Sequence, residues 1–287
     1  MGQGSETNNT HRSLKSLVIV DAWYIRDKHQ NDRYTLHAHV AFTEERLGGG
    51  AEPSVIFKIA VKKCQIVFLK PIDGFSVDRN SVKRPKPLTE IELTNHSEEK
   101  KHRSISGTLS LGPKPNIGAE AGLSHNSDTS KVLKSVQKMS PFSEQFTFSS
   151  EGYEAWNLNG SIRPNGRIIG PVFDHEADPR LTIVDKRSAE RKARDDANAM
   201  TPVSRIEVRC LREDIDIYDI EFKDEDRQKS FINRSRNKEK LAVARQVLRE
   251  AILQENLSVG NLIDDPYAEM TICDTTIPIV DQGSSDG

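Results

Sequence analysis

His37 and His39 stand two residues apart in the stretch HAHVAFTEE. On a β-strand alternate side chains leave the same face, so both imidazoles would project together. Glu44 follows at a distance that could bring in a carboxylate from the next turn. Two imidazoles and a carboxylate can hold iron, manganese or zinc, which makes these residues a candidate site for a divalent transition metal. The plainer reading is a two-faced strand, with Leu36, Ala38 and Val40 toward a core and the histidines toward water.

The same spacing resembles the first metal motif of the cupins, small β-barrels that bind metal with such a set. Asn31 stands where that motif opens with glycine. The second cupin motif places a histidine after Pro-x-Gly. The stretch RPNGRIIG supplies Pro164 and Gly166 without that histidine, and His175 is too distant. The resemblance implies a metal-dependent β-barrel enzyme. A second set, in DIYDIEFKD, resembles the acidic pair and lysine of restriction-type nucleases. Asp216 or Asp219 with Glu221 would bind Mg²⁺, and Lys223 would help activate water. Acidic and basic residues also alternate on any solvated strand, and the mixed parallel sheet of such nucleases is not evident. No phosphate loop, nucleophile elbow or Cys/His dyad can be read.

Two basic stretches, Lys186–Arg194 and Arg227–Lys240, could meet anions. In the second, Arg227, Lys229, Arg234 and Arg236 surround Phe231 and could touch phosphate or an anionic membrane. Asp224, Glu225 and Asp226 stand beside them and cancel much of the field, so a solvated loop and helix entry is the simpler expectation.

A membrane reading attaches to ISGTLSLGPKPNIGAEAGLS, where Ile105, Leu109, Leu111, Ile117 and Leu123 share one side of a hairpin. Each arm falls at or just under the roughly 9–11 residues of a membrane β-strand. The apolar side is thin, with Gly107, Ala119 and Ala121, and the aromatic girdle of such barrels is missing. A soluble hairpin with one half-buried face accounts for the same pattern.

These stretches belong to a chain of 287 residues with Lys+Arg 41 against Asp+Glu 43. That near-neutral balance argues against a nucleic-acid partner, which calls for a basic footprint. Mean hydropathy is -0.61, polar for a globular protein, so tails and long loops are expected. Cys64, Cys210 and Cys273 are far apart, which suggests reduced thiols and a cytoplasmic location. No run approaches the roughly 18–20 apolar residues of a membrane-spanning helix.

The elements that would carry these residues are mostly strands. Leu14–Arg26, Arg33–Phe42, Thr89–Asn95 and Ser143–Gly160 alternate or are rich in β-branched and aromatic residues. Phe146, Phe148 and Trp156 are core candidates. Ser54–Pro71 is long enough for two strands, or for one bent at Lys62-Lys63. More strands fall in PRLTIVDKR and in SRIEVRCLREDIDIYDIEF, where Ile215, Ile217 and Ile220 follow a bend. One strong helix spans Asn237–Leu257, with Leu241, Ala244, Leu248, Ala251 and Ile252 on one face and Asn237 as its cap.

The expected fold is mainly β, an antiparallel two-sheet β-sandwich with one C-terminal α-helix and disordered N- and C-terminal tails. Residues 1–13 and 281–287 are the tails. Residues 14–232 form a β-rich domain that could divide near 125–141, and 233–280 supply the helix and terminal strands that pack on it. The expected function is non-catalytic binding or assembly, as a scaffold, adaptor or complex subunit, with a protein partner and no cofactor. A membrane-acting hairpin and a metal-dependent enzyme are the alternatives.

Overall fold

The computed structural model describes residues 11–14, 16–49, 55–71, 73–85, 142–161, 165–173, 179–222 and 233–279. All belong to one compact unit, built from chain on both sides of residues 86–139. The fold is mainly β, with three antiparallel sheets and two α-helices among the described residues.

Sheet A has six strands. In spatial order they are β1 (His11–Ser13), β14 (Glu269–Pro278), β12 (Val203–Leu211), β6 (Lys63–Leu69), β9 (Glu154–Asn159) and β8 (Ser143–Phe148). Sheet B is centred on β3 (Arg33–Phe42), which pairs along one edge with β2 (Val18–Arg26). Its other edge carries β10 (Gly170–Phe173) and β11 (Leu181–Asp185), and β7 (Phe75–Asp78) continues from β11. Sheet C is β13 (Ile215–Phe222), β5 (Val55–Val61) and β4 (Glu45–Gly48).

The core follows from the alternation of each strand. Leu36, Ala38, Val40 and Phe42 of β3 are buried, as are Ile66, Phe68, Trp156, Ile206 and Val208 of sheet A. Sheets A and B share this core, sandwich fashion. The Trp156 and Phe173 rings meet edge to face at 5.6 Å, and the Tyr24 hydroxyl lies 2.8 Å from Ser204 Oγ.

The long apolar stretch does form two strands, and the break falls at Lys62. There the chain passes from sheet C to sheet A. Lys62 N–H donates to Asp214 C=O at 2.7 Å, in the 3-10 turn (Arg212–Asp214) through which β12 leads to β13. Two neighbouring strand pairs therefore bend together from one sheet into the other. The spacing of Ile215, Ile217 and Ile220 has a local cause. A bulge lies between Tyr218 and Glu221, and Asp219 there takes φ 51. One extra residue restores the inward face three positions on.

Helix α2 (Asn233–Gln254) contacts β4, β5 and β13. Ala244, Leu248 and Ile252 are buried, as the apolar face requires. The helix begins four residues before Asn237, which is therefore interior rather than a cap; no strong breaker stands among Asn233, Arg234, Ser235 and Arg236. Helix α1 (Ala189–Ala197) occupies the charged stretch. Ser188 caps it by accepting from Arg191 N–H.

Three further expectations are corrected. Residues 11–13 of the supposed tail pair with β14. The strand drawn from Leu14 is interrupted by a turn, closed by Leu17 N–H to Leu14 C=O at 2.9 Å. Phe148, taken as core, is 49% exposed because it ends β8, at the edge of sheet A. The terminal strand β14 lies within sheet A, between β1 and β12.

Candidate functional site: a polar groove on sheet A

His37 and His39 do share the outward side of β3, opposite the buried Leu36, Ala38 and Val40. Across the ladder they face Trp23 and Asp21 of β2. The Trp23 ring stacks on His37 with centroids 5.9 Å apart. Glu44 lies past the end of β3, and its carboxylate accepts from Arg167 at 3.0 Å. No three His, Cys, Asp or Glu side chains form a group suited to a metal ion among the described residues.

Asp216, Asp219 and Glu221 belong to the outer side of sheet C. Arg167 Nε donates to Asp216 at 2.8 Å, and its guanidinium lies 3.4 Å from the Tyr218 ring centroid. Lys62 reaches Asp216 at 3.3 Å, and Lys58 reaches Asp219 at 3.0 Å. Burial and the neighbouring Glu44 push the Tyr218 phenol up to about 12. Lys223 lies outside the described residues, as do Arg227, Lys229 and the hairpin residues Ile105, Leu109, Leu111, Ile117 and Leu123. Arg234 and Arg236 fall in the first turns of α2, where the backbone alone is described.

The outer face of sheet A holds what sequence reading missed. Its strand registers place polar residues in two parallel rows. Gln145, Asn157, Gln65, Arg209 and Thr271 are matched across five consecutive strands. One rung away, Ser143, Asn159 and Lys63 are matched across β8, β9 and β6, and Leu211 faces Glu269 across β12 and β14. Between the rows lies a depression of about 440 Å³. Gln65 Nε2 donates to Asn157 Oδ1 at 2.9 Å. Each amide offers two N–H donors and two lone pairs, so this bond uses only part of what the pair can give.

Charges bound the groove at two places. At one end Lys63 lies 3.5 Å from Asp214. Burial holds the Asp214 carboxyl above the usual carboxylate range, against the pull of Lys63. On the other side Arg209 donates from Nε to Glu207 at 2.8 Å and from one terminal nitrogen to both Glu151 oxygens at 3.1 Å. Glu269 stands 3.8 Å from Arg209. The Glu151 carboxyl is pushed down to about 2, first by the Ser149 hydroxyl and a backbone N–H, then by Arg209. A second depression, of about 400 Å³, adjoins beyond Arg209 and is bordered by the Arg205–Asp274 pair.

Cys64 and Cys210 are the residues next to Gln65 and Arg209 along β6 and β12, beneath the groove, and both thiols are buried. Burial pushes both well up from the ordinary thiol range, which keeps them protonated and weakly nucleophilic. No histidine borders the groove among the described residues. The arrangement is suited to holding a neutral polar molecule by many hydrogen bonds.

Its signal in the sequence is faint. Each strand contributes two polar residues at alternate positions, such as Ser143 and Gln145, or Asn157 and Asn159. Any half-exposed strand shows that pattern, and only the registers assemble the rows. Comparison with protein-family models, curated proteins and solved structures finds no match for this chain.

Proposed function

We propose that the protein acts by binding, as a scaffold, adaptor or subunit of a larger assembly, with the groove of sheet A as its recognition surface. One observation carries the reading: two register-matched rows of hydrogen-bonding side chains border a single depression. The volume falls within the range of small-ligand sites, about 300–1,000 Å³. The side chains there are amides, a hydroxyl, mutually paired ions and two leucines, and the adjacent thiols are held protonated. Such a surface orients a ligand and does not transform it.

Chemical-shift mapping on the full chain tests this, with separate sets of neutral polar, acidic and basic fragments. Neutral polar fragments are expected to move the side-chain amide signals of Gln65, Gln145 and Asn157. If every set spares those amides and gathers elsewhere, such as around Arg167, the groove is not the recognition surface.

A further inference from the structure

Building on that reading, we propose that the groove takes a neutral carbohydrate chain, laid across the strands of sheet A. Charge is the first argument. Lys63 and Arg209 border the groove on the positive side and Asp214 and Glu269 on the negative, so the four cancel. Arg209 is already held by Glu207 and Glu151. A phosphate or sulfate would have to compete with those carboxylates while facing Asp214 and Glu269, so polyanions are disfavoured.

Hydrogen-bonding capacity is the second. Gln145, Asn157 and Gln65 offer donors and acceptors together. Asn159 adds its amide N–H donors, its Oδ1 being taken by Ser161 N–H at 2.9 Å, and the Ser143 hydroxyl, which donates to Asn159 C=O at 3.4 Å, can still accept. Sugar hydroxyls also donate and accept, and neighbouring hydroxyls match the two ends of an amide. A ligand with few polar groups would leave these side chains without partners.

Spacing is the third. Neighbouring strands lie about 4.8 Å apart. Sugar rings in an extended β-linked chain advance by a closely similar step. A glycan perpendicular to the strands would present about one ring to each of β8, β9, β6 and β12. An extended peptide advances about 3.3 Å per residue and repeats its facing at about twice that, out of step with the strands. Peptides also favour sheet edges, where backbone groups can pair. Among the described residues the border includes Leu158 and Leu211 and no aromatic ring. Recognition therefore rests on hydrogen bonds, and selectivity for the pattern of hydroxyls should exceed raw affinity.

Calorimetric titration and shift mapping of the full chain would use cellohexaose, chitohexaose and xylohexaose as extended neutral probes. Maltohexaose serves as the curved control, a heparin hexasaccharide as the anionic one, and a neutral extended peptide as the alternative polymer. At least one extended β-linked probe should bind and shift the amides of Gln65, Gln145 and Asn157. Asn157→Ala and, independently, Gln145→Ala should each weaken it roughly tenfold, about one hydrogen bond's worth, with the melting temperature kept. Gln145 is exposed, so its variant isolates binding from folding. If neutral fragments occupy the groove but no extended sugar does, the carbohydrate assignment falls and the recognition surface stands. Failure of fragments and sugars alike overturns both. Preferential binding of heparin or of the peptide at these amides overturns the carbohydrate assignment.

Discussion

Around Arg167, on sheet C, one guanidinium meets Asp216, Glu44 and the Tyr218 ring, and Lys62 and Lys58 engage the carboxylates of the same strand. Around Arg209, on sheet A, one guanidinium is likewise held, by Glu207 and Glu151, yet the amide rows beside it keep unspent donors and acceptors. Both regions lie on outer strand faces. The first closes upon itself and fixes the local fold. The second closes its ions and leaves part of its amide capacity available. Ions that satisfy one another act as structure, whereas amides with capacity left over remain open to a ligand.

The largest effect expected comes from removing the support of sheet C. Leu248 is 1% exposed, on the helix face that packs against β4, β5 and β13. Leu248→Asp deletes that packing and buries a charge, which should cost at least about 3 kcal/mol. Denaturant unfolding would read the loss. Should the midpoint stay in place, the helix does not back sheet C and the contrast between regions loses its footing.

Arg167→Met comes next. The Arg167 side chain is 16% exposed and its partner Asp216 24%, so solvent screens the pair only in part. Asp216 keeps Lys62 after the substitution, which softens the loss. About 2 kcal/mol is expected at neutral pH, below the roughly 3–5 kcal/mol for breaking a fully buried pair. The amide signals of Gln65 and Asn157 should not move. An equal disturbance at the groove would mean that the two regions form one polar system.

How much of this could be read beforehand depends on the range of the interaction. Arg33–Phe42 declared itself because alternation is local, and it is the strand β3 without adjustment. The Lys62-Lys63 break was visible as two charges inside an apolar run. The helix face of Ala244, Leu248 and Ile252 needed only periodicity. By contrast, β1 joins β14 across almost the whole chain, and nothing in HRS marks it as a strand. The groove is hidden for the same reason: Gln65, Asn157 and Arg209 become neighbours through pairings β6–β9 and β6–β12, which local patterns do not encode. His37 and His39 show the converse. Their shared face was legible, while the place of Glu44, set by Arg167, was not.

Acid titration separates Glu151, which pairs with Arg209 beside the groove, from Asp214 at its end, because the two carboxyls shift in opposite directions. The Glu151 carboxyl falls from 4.5 to about 2 in the folded chain. Its contribution is therefore present above pH 4.5 and lost as pH falls toward about 2. The side chain is 48% exposed, so after screening the contribution is at most about 1 kcal/mol. Glu151→Gln should lower stability at pH 7 and converge with the parent near pH 2. A constant offset across that range would show that Glu151 acts through shape and not through its charge.

Asp214 supplies the smallest effect. Its folded carboxyl lies above its unfolded value of 3.8, chiefly through burial, so folding favours its protonated form. The associated stability is present in full below pH 3.8 and is lost as pH rises through the folded value. Lys63 offsets part of that loss, but its side chain is 55% exposed, which limits the pair to about 0.3 kcal/mol. Lys63→Met should therefore be slightly less stable than the parent at pH 7 and equal to it at pH 3, where Asp214 is neutral in both states. Added salt should shrink the difference at pH 7, because an exposed cation is screened. A deficit that persists at pH 3 and in high salt would mean that the lysine stem packs against the end of the groove, and that this end is held by packing and not by charge.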